Sequence, residues 1–291
     1  MAAAVARIRA PGEKRFQWFN VLNGFILLLC MLSCLLPFWY VIISSVSRVE
    51  GLRIQGFTLD AYRYIFSTRV LPRSLQVSIV TTIIGTFCML AVTSLMAYSL
   101  AEKDLPGRAF FLNLVIFTML FSGGMIPLFF VVRATRLFNT IWAMIIPNLV
   151  SAFNLIVMKN FFQNVPYEMK ESARMDGCHE LIILVKIILP LSLPALATFG
   201  LFYAVGIWNT FMSAVLYIQR ADLWPIQVLL RRIVQVSVGL GDSDLIDANL
   251  VALSQNIRMA AILVATIPIM CIYPFLQKHF AKGIMVGSVK G

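Results

Sequence analysis

The chain has 291 residues, of which 60% are hydrophobic and 13% charged, and its mean hydropathy is +0.86. A soluble domain of this length is not so apolar, so the composition defines an integral membrane protein before any motif is considered. The net charge of +11 does not imply a nucleic-acid partner, because the basic residues lie in short segments between apolar runs and form no stripe.

Residues 1–20 form a basic N-terminal tail carrying Arg7, Arg9, Lys14 and Arg15. The apolar run Val21 to Val46 exceeds the roughly 7–15 residues of a signal-peptide core and lacks a small-residue cleavage site, so it reads as a retained first span with Pro37 placed to kink it. At about 1.5 Å per residue it crosses a hydrocarbon layer of roughly 30 Å with tilt to spare. Residues 47–73 read as an extracytoplasmic loop with an interfacial aromatic patch at Tyr62, Tyr64 and Phe66.

The core, 74–277, is expected to hold five more helical spans, at about 74–100, 109–132, 140–158, 191–217 and 259–276. Ser122-Gly123-Gly124 and Pro127 interrupt the second of these. The segment 159–190 reads as a cytoplasmic loop and 218–256 as an extracytoplasmic one, within which Leu223 to Val236 has an amphipathic helical pattern. Asp242, Asp244 and Asp247 follow it, and 278–291 forms a basic C-terminal tail. The fold class is therefore all-α with six transmembrane helices, since apolar runs this long are helices rather than barrel strands.

An even number of spans puts both termini on one side. Placing that side in the cytoplasm puts every lysine inside and leaves the outer segments to arginine, which favours an N-in, C-in orientation. Cys30, Cys34, Cys88 and Cys271 lie in apolar runs and Cys178 lies apart from them; none forms a Cys-x-x-Cys pair, so they read as small buried apolar residues and not as a metal site. His179 and His279 have charged neighbours and read as surface side chains.

With these boundaries the spans contain no Asp, Glu, Lys, Arg or His. Ion-coupled transporters keep such groups near the midplane, so this pattern argues against an ion-driven pump. There is no phosphate-cradling Gly-x-x-x-x-Gly-Lys-Ser/Thr loop, and no set of catalytic side chains converges at one depth. No catalytic residue is assigned. Neutral polar groups are present instead: Asn148, Asn154, Tyr203, Trp208, Asn209 and Ser213. Taken singly each is explained by helix packing. Together they offer hydrogen bonds and aromatic faces to a neutral polar solute, with Trp208-Asn209 as the centre of the path. Asn209 and Ser213, four apart, would share a helix face.

One charged island stands out, from Glu168 to Pro190, with Lys170, Glu171, Arg174, Asp176, Glu180 and Lys186 inside it. Glu168 to Met175 reads as a short amphipathic helix broken at Gly177, and Leu181 to Leu189 as a second that stops at Pro190.

Its spacing resembles the signature loop of permease subunits of bacterial ABC importers: Glu-Ala-Ala, three residues, Gly, nine residues, Ile, one residue, Leu-Pro. Here Glu171-Ser172-Ala173, Gly177, Ile187 and Leu189-Pro190 fit every spacing, with Ser172 the one departure. The segments PFWYVIISS, MIPLFF and YPFLQKHFAKGIMVGSVKG extend the resemblance over nearly the whole chain. They are similar to the smaller permease of the maltose importer and to permeases for polysaccharide fragments, such as the second permease of an alginate importer.

The resemblance implies a multi-pass protein of the bacterial cytoplasmic (inner) membrane with the type I ABC importer permease fold. It also implies that the hook, with Asp176 beside Gly177, seats in an ATP-binding subunit and that Glu171 faces a basic residue there. The partners implied are a second, different permease, two ATP-binding subunits and an extracytoplasmic solute-binding protein. ATP and Mg would reside in those partner subunits, leaving this chain without a cofactor, and the cargo would be an oligosaccharide. The outward arginines, five of them between Arg48 and Arg73, read for the most part as residues that bind lipid headgroups or stabilise loops; the other reading is that they attract an acidic oligosaccharide such as a uronate fragment. The alternative is a passive channel or permease for another small polar solute, not driven by ATP.

Overall fold

A computed structural model of the chain describes residues 18–47, 56–237 and 255–287. The N-terminal tail to residue 17, Arg48 and Arg53, the aspartates from Asp242 to Asp247, and the end of the C-terminal tail lie outside the described residues.

The described chain is helical. Helix α1, Trp18–Val46, runs through Pro37 as one element. Its side chains from Val21 to Leu36 are exposed, and it packs along the last helix. Three of the expected small buried cysteines face outward, because Cys30, Cys34 and Cys271 lie on exposed apolar helix surfaces; Cys88 and Cys178 are half-buried.

Of the segment expected as a loop, the described residues 56–73 are largely helical. Helix α2, Asp60–Ser67, buries Ala61 and Ile65, which are four residues apart and so share a face. The Ser45 hydroxyl on α1 lies 2.8 Å from the Tyr62 hydroxyl. Two turns of helix are too short to show their period against the surrounding sequence. Helix α3, Val70–Ala101, then begins earlier than the expected residue 74 and takes in Arg73.

Among the described residues, three helices are long and apolar enough to cross a membrane: Val21–Val46, Val70–Ala101 and Gln255–Ile272. Three more spans are possible only as bent pairs. Helices α4 (Arg108–Leu120) and α5 (Met125–Ala134) meet at 120°, where Gly124 adopts φ 82, a left-handed value open to glycine without a Cβ penalty. Helix α6, Trp142–Ile145, continues as a tight turn Ile146–Asn148 containing Pro147. It meets α7, Ala152–Gln163, at 58°. The first break falls at the Ser122-Gly123-Gly124 interruption read in the span at 109–132, whereas the span expected at 140–158 is broken between Asn148 and Ala152. The longer helices also take in Arg133, in the last turn of α5, and Lys159, within α7.

The third bent pair corrects the reading of Pro190 as a stop. After α8 (Tyr167–Met175), helix α9 (Glu180–Ile183) passes into a wide π-turn, Leu184–Ile188, and then into α10, Leu189–Leu191. Proline cannot donate to the carbonyl four residues back, and its ring crowds that carbonyl. Here the wide turn absorbs the misfit, with Leu189 N–H bonding the Leu184 carbonyl. The chain turns at Ser192 instead, by 88°, into α11, Leu193–Trp208. The expected span to residue 217 also breaks, because α12, Met212–Tyr217, is separate. Helix α13 spans Ile226–Ser237 and α14 spans Gln255–Gly287.

Helix α3 is the central rod, packed along α7 and α11. Gly85 lets α11 close in: a Cβ there would sit 2.5 Å from Ile207 Cδ1. One buried cluster joins Tyr98 on α3 to Phe162 on α7, to Ile183, Leu184 and Ile188 of the α9–α10 segment, and to Phe199 on α11. A second packs Ile226, Leu229 and Ile233 of α13 on Ala260, Ala261 and Val264 of α14. Burial at roughly 25 cal/mol per Å² of apolar surface fixes these faces only where lipid or a partner does not compete for them.

Candidate functional site: a clamped hook and a polar cavity

The hook is built from α8 and α9. Helix α8 ends in a Schellman turn: Cys178 N–H bonds the Ala173 carbonyl at 3.0 Å, and Gly177 N–H bonds the Arg174 carbonyl at 3.0 Å. That turn requires the left-handed φ of 76 at Gly177. His179 caps α9, its Nδ1 accepting from Leu181 N–H at 3.3 Å.

The motif residues divide between two faces. Ala173 is buried against the α3–α7 core, and Ile187 and Leu189 are half-buried against the same cluster. Glu171, Ser172, Asp176, Gly177 and Pro190 are exposed. Met175 beside them is 83% exposed, and Tyr167, Leu181 and Val185 also face outward. The outer face thus pairs carboxylates with bare apolar side chains.

An ionic clamp holds the inner face, and sequence reasoning missed it. Lys170 Nζ lies 2.8 Å from Glu102 Oε1 on the turn after α3, and its side chain is 5% exposed. Lys170 Nζ also sits 5.3 Å from the centroid of the Tyr98 ring. Arg174 reaches the other Glu102 oxygen at 3.1 Å and Glu180 Oε1 at 2.7 Å. The Tyr98 hydroxyl donates to the remaining Glu180 oxygen. Arg174 therefore spans the Gly177 turn and pins both hook helices to α3. The sequence signal was the pair Lys170 and Arg174, four apart on one helix face. Burial alone would raise the Glu102 carboxyl, but hydrogen bonds from Lys170 and Arg174 outweigh it and hold it below the usual carboxylate range. Charge-assisted bonds to Glu180 and Glu102 hold the Arg174 guanidinium above its ordinary value.

Farther along α3 lies a cavity of about 610 Å³. Asn148, Asn154, Tyr203, Asn209 and Ser213 all line it, so the folding brings together five of the six polar residues singled out in the sequence. Tyr203 is fixed by a 2.8 Å bond between its hydroxyl and that of Thr93 on α3. Asn148 Nδ2 donates to the Met144 carbonyl at 3.4 Å, and the Ser151 hydroxyl caps α7 at Asn154. Asn209 and Ser213 do not share a helix face: α11 ends at Trp208, with Asn209 N–H bonding the Val205 carbonyl, and Ser213 belongs to α12. They meet at the cavity across that break.

Trp208 is placed elsewhere. It is 3% exposed, and its indole N–H donates to the Ala265 carbonyl on α14 at 3.2 Å. Its contacts hold helices together.

A polar cavity among apolar helices, reached from a rod that also holds an exposed knuckle, is the working equipment of a membrane permease. Residues 18–286 match the family described as binding-protein-dependent transport system inner membrane components, and the chain belongs to that family. In Bacillus subtilis (strain 168), the polygalacturonan/rhamnogalacturonan transport system permease protein YtcP is 52% identical over 281 residues, covering 94% of this chain and 98% of its own. Protein LplC of the same organism is 49% identical over 264 residues, covering 88% of this chain and 90% of its own. Among solved structures, a chain of a bacterial ABC transporter involved in the import of the acidic polysaccharide alginate superposes with a TM-score of 0.83. It is 29% identical, and the match covers 93% of this chain and 100% of that one. The chain is thus an inner-membrane permease component of an ABC importer, and such components are not themselves the ATPase.

Proposed function

We propose that this permease carries an oligosaccharide bearing uronate carboxylates across the inner membrane, delivered by a solute-binding protein and driven by ATP hydrolysis in partner subunits. Three unbroken helices and three bent pairs form six spans with both termini in the cytoplasm. A second, different permease faces the polar cavity and completes the path. Two ATP-binding subunits grip the hook through Glu171, Ser172, Asp176 and the exposed apolar side chains around Met175.

The observation that carries this reading is that one rod serves both parts. Helix α3 meets the hook through Tyr98 and, just past its end, Glu102. It meets the cavity through Met89, which lines the wall, and Thr93, which holds Tyr203. From Met89 to Glu102 is about 20 Å at the helical rise. A push on the knuckle therefore moves the cavity wall as a body, as alternating access requires. Asn148, Asn154, Asn209 and Ser213 supply hydrogen bonds to sugar hydroxyls without holding charge. The carboxylates are inferred from the relatives, one a permease for polygalacturonan/rhamnogalacturonan and one from an importer of alginate.

The test is uptake into proteoliposomes containing the full importer, with trigalacturonate and maltotriose as cargoes. ATP-dependent uptake of trigalacturonate is expected. Uptake of maltotriose alone would remove the uronate assignment, and uptake without ATP would favour the passive class.

A further inference from the structure

The side chains that line the cavity carry no charge. A substrate with carboxylates entering such a space loses hydration that neutral amides and hydroxyls only partly replace. A cation at the entrance would offset part of that cost and raise the local concentration of the anion.

Among the described residues, Arg231 places a cation against the wall. Its guanidinium carbon lies 4.5 Å from the ring centroid of Phe211, a wall residue. Helix α13 is held by its apolar face, where Ile226, Leu229 and Ile233 pack on α14. Gln227 and Arg231, one turn apart, share another face. Gln227 Nε2 donates to Asn209 Oδ1, also on the wall, at 3.4 Å. Two residues one turn apart on α13 thus rest on two residues of the wall, Asn209 and Phe211.

Arg231 is exposed and forms no ion pair among the described residues. The contrast is with Arg220, whose guanidinium is committed to the Asp222 carboxylate at 2.6 Å. Stacking on an aromatic ring contributes only about 0.5–1 kcal/mol at an exposed site and leaves the planar N–H fork open to a carboxylate.

We infer that Arg231, steadied on Phe211 and flanked by Gln227, forms a carboxylate-binding subsite at the rim of the cavity that selects uronate-bearing oligosaccharides as they enter. This rests on the uronate reading above. A single charge at the rim favours entry, and the uncharged wall beyond it lets the cargo leave, the balance that a conducting path requires. Because the site is open to water, its pull is screened by salt.

The experiment compares Arg231→Gln, Arg231→Lys and, as a control, Arg220→Gln in proteoliposomes containing the full importer and its binding protein. The probes are trigalacturonate and its methyl ester, over a range of ionic strength. Loss of a charge-assisted bond predicts that Arg231→Gln lowers the acid-to-ester uptake ratio about tenfold and flattens its salt dependence. Arg231→Lys recovers part of the ratio, and Arg220→Gln leaves it unchanged. If wild-type takes up trigalacturonate and Arg231→Gln keeps both the ratio and the salt slope, the subsite is overturned and the uronate reading stands. Wild-type that takes up no trigalacturonate overturns both.

Discussion

The Lys170 ammonium lies 2.8 Å from the Glu102 carboxylate with only 5% of the lysine side chain exposed, and it joins the hook to the end of the central helix. A buried cation with a partner is tolerable, whereas the same cation left alone is not. Breaking such a pair from one side costs about 3–5 kcal/mol where burial is complete, and less here because Glu102 keeps 19% of its side chain in contact with solvent. Glu102→Gln is expected to lower the thermal midpoint of the assembled importer. Combining it with Lys170→Met is expected to restore part of the loss, and strictly additive losses in a double-mutant cycle would show that the two residues do not cooperate.

The same carboxylate sets a pH dependence. Its folded-state value lies below the ordinary 4.5, so its contribution is fully present above that value and fades as the pH falls through the lower, folded-state one. The thermal midpoints of wild type and Glu102→Gln are therefore expected to differ at pH 7 and to converge below pH 4.5. A constant difference down to acid pH would place the effect outside the Glu102 titration.

At Gly177 the demand is conformational. A Cβ there would meet no atom within 4 Å, but the backbone φ is 76. Gly177→Ala should destabilise the turn by about 1–2 kcal/mol, the cost of a left-handed L-residue, and Gly177→Asn by less. Faster amide exchange in α8 and α9 would report it. Equal exchange in Ala and Asn variants would point to some other constraint.

Trp208 separates packing from transport. Trp208→Phe removes the donor to the Ala265 carbonyl and is expected to cost about 1 kcal/mol of stability with the apparent affinity for cargo unchanged. Asn154→Ala and Asn209→Ala, by contrast, should raise the cargo concentration needed for half-maximal uptake. A shift in cargo affinity for Trp208→Phe would put the indole back on the path.

The hook was legible because its logic is local: Glu171, Ala173, Gly177 and Pro190 sit at fixed spacings, and Gly177 signals a turn whatever surrounds it. The polar wall was legible too, since Asn148, Asn154, Tyr203, Asn209 and Ser213 stand out in apolar runs. The clamp was not, because Lys170 and Glu102 are 68 residues apart and Glu102 reads as part of a polar turn. The break at Ser192 was read two residues early, at Pro190, and the one after Trp208 was not read at all. Hydropathy is continuous across the latter, while the chain direction there depends on backbone bonds such as Thr210 N–H to the Ile207 carbonyl. Trp208 was drawn to the path by its neighbour Asn209, although the helix ends between their two roles. The two turns of α2 carried too little sequence to show a period.

The most direct test of the hook as the drive shaft is Glu171→Lys in the reconstituted importer, with uptake and ATP hydrolysis measured together. Glu171 is exposed and makes none of the clamp contacts, so the variant should insert and assemble. Uptake abolished, with hydrolysis no longer stimulated by the loaded binding protein, is the expected result. Wild-type uptake with normal stimulation in that variant would contradict a coupling role for the hook.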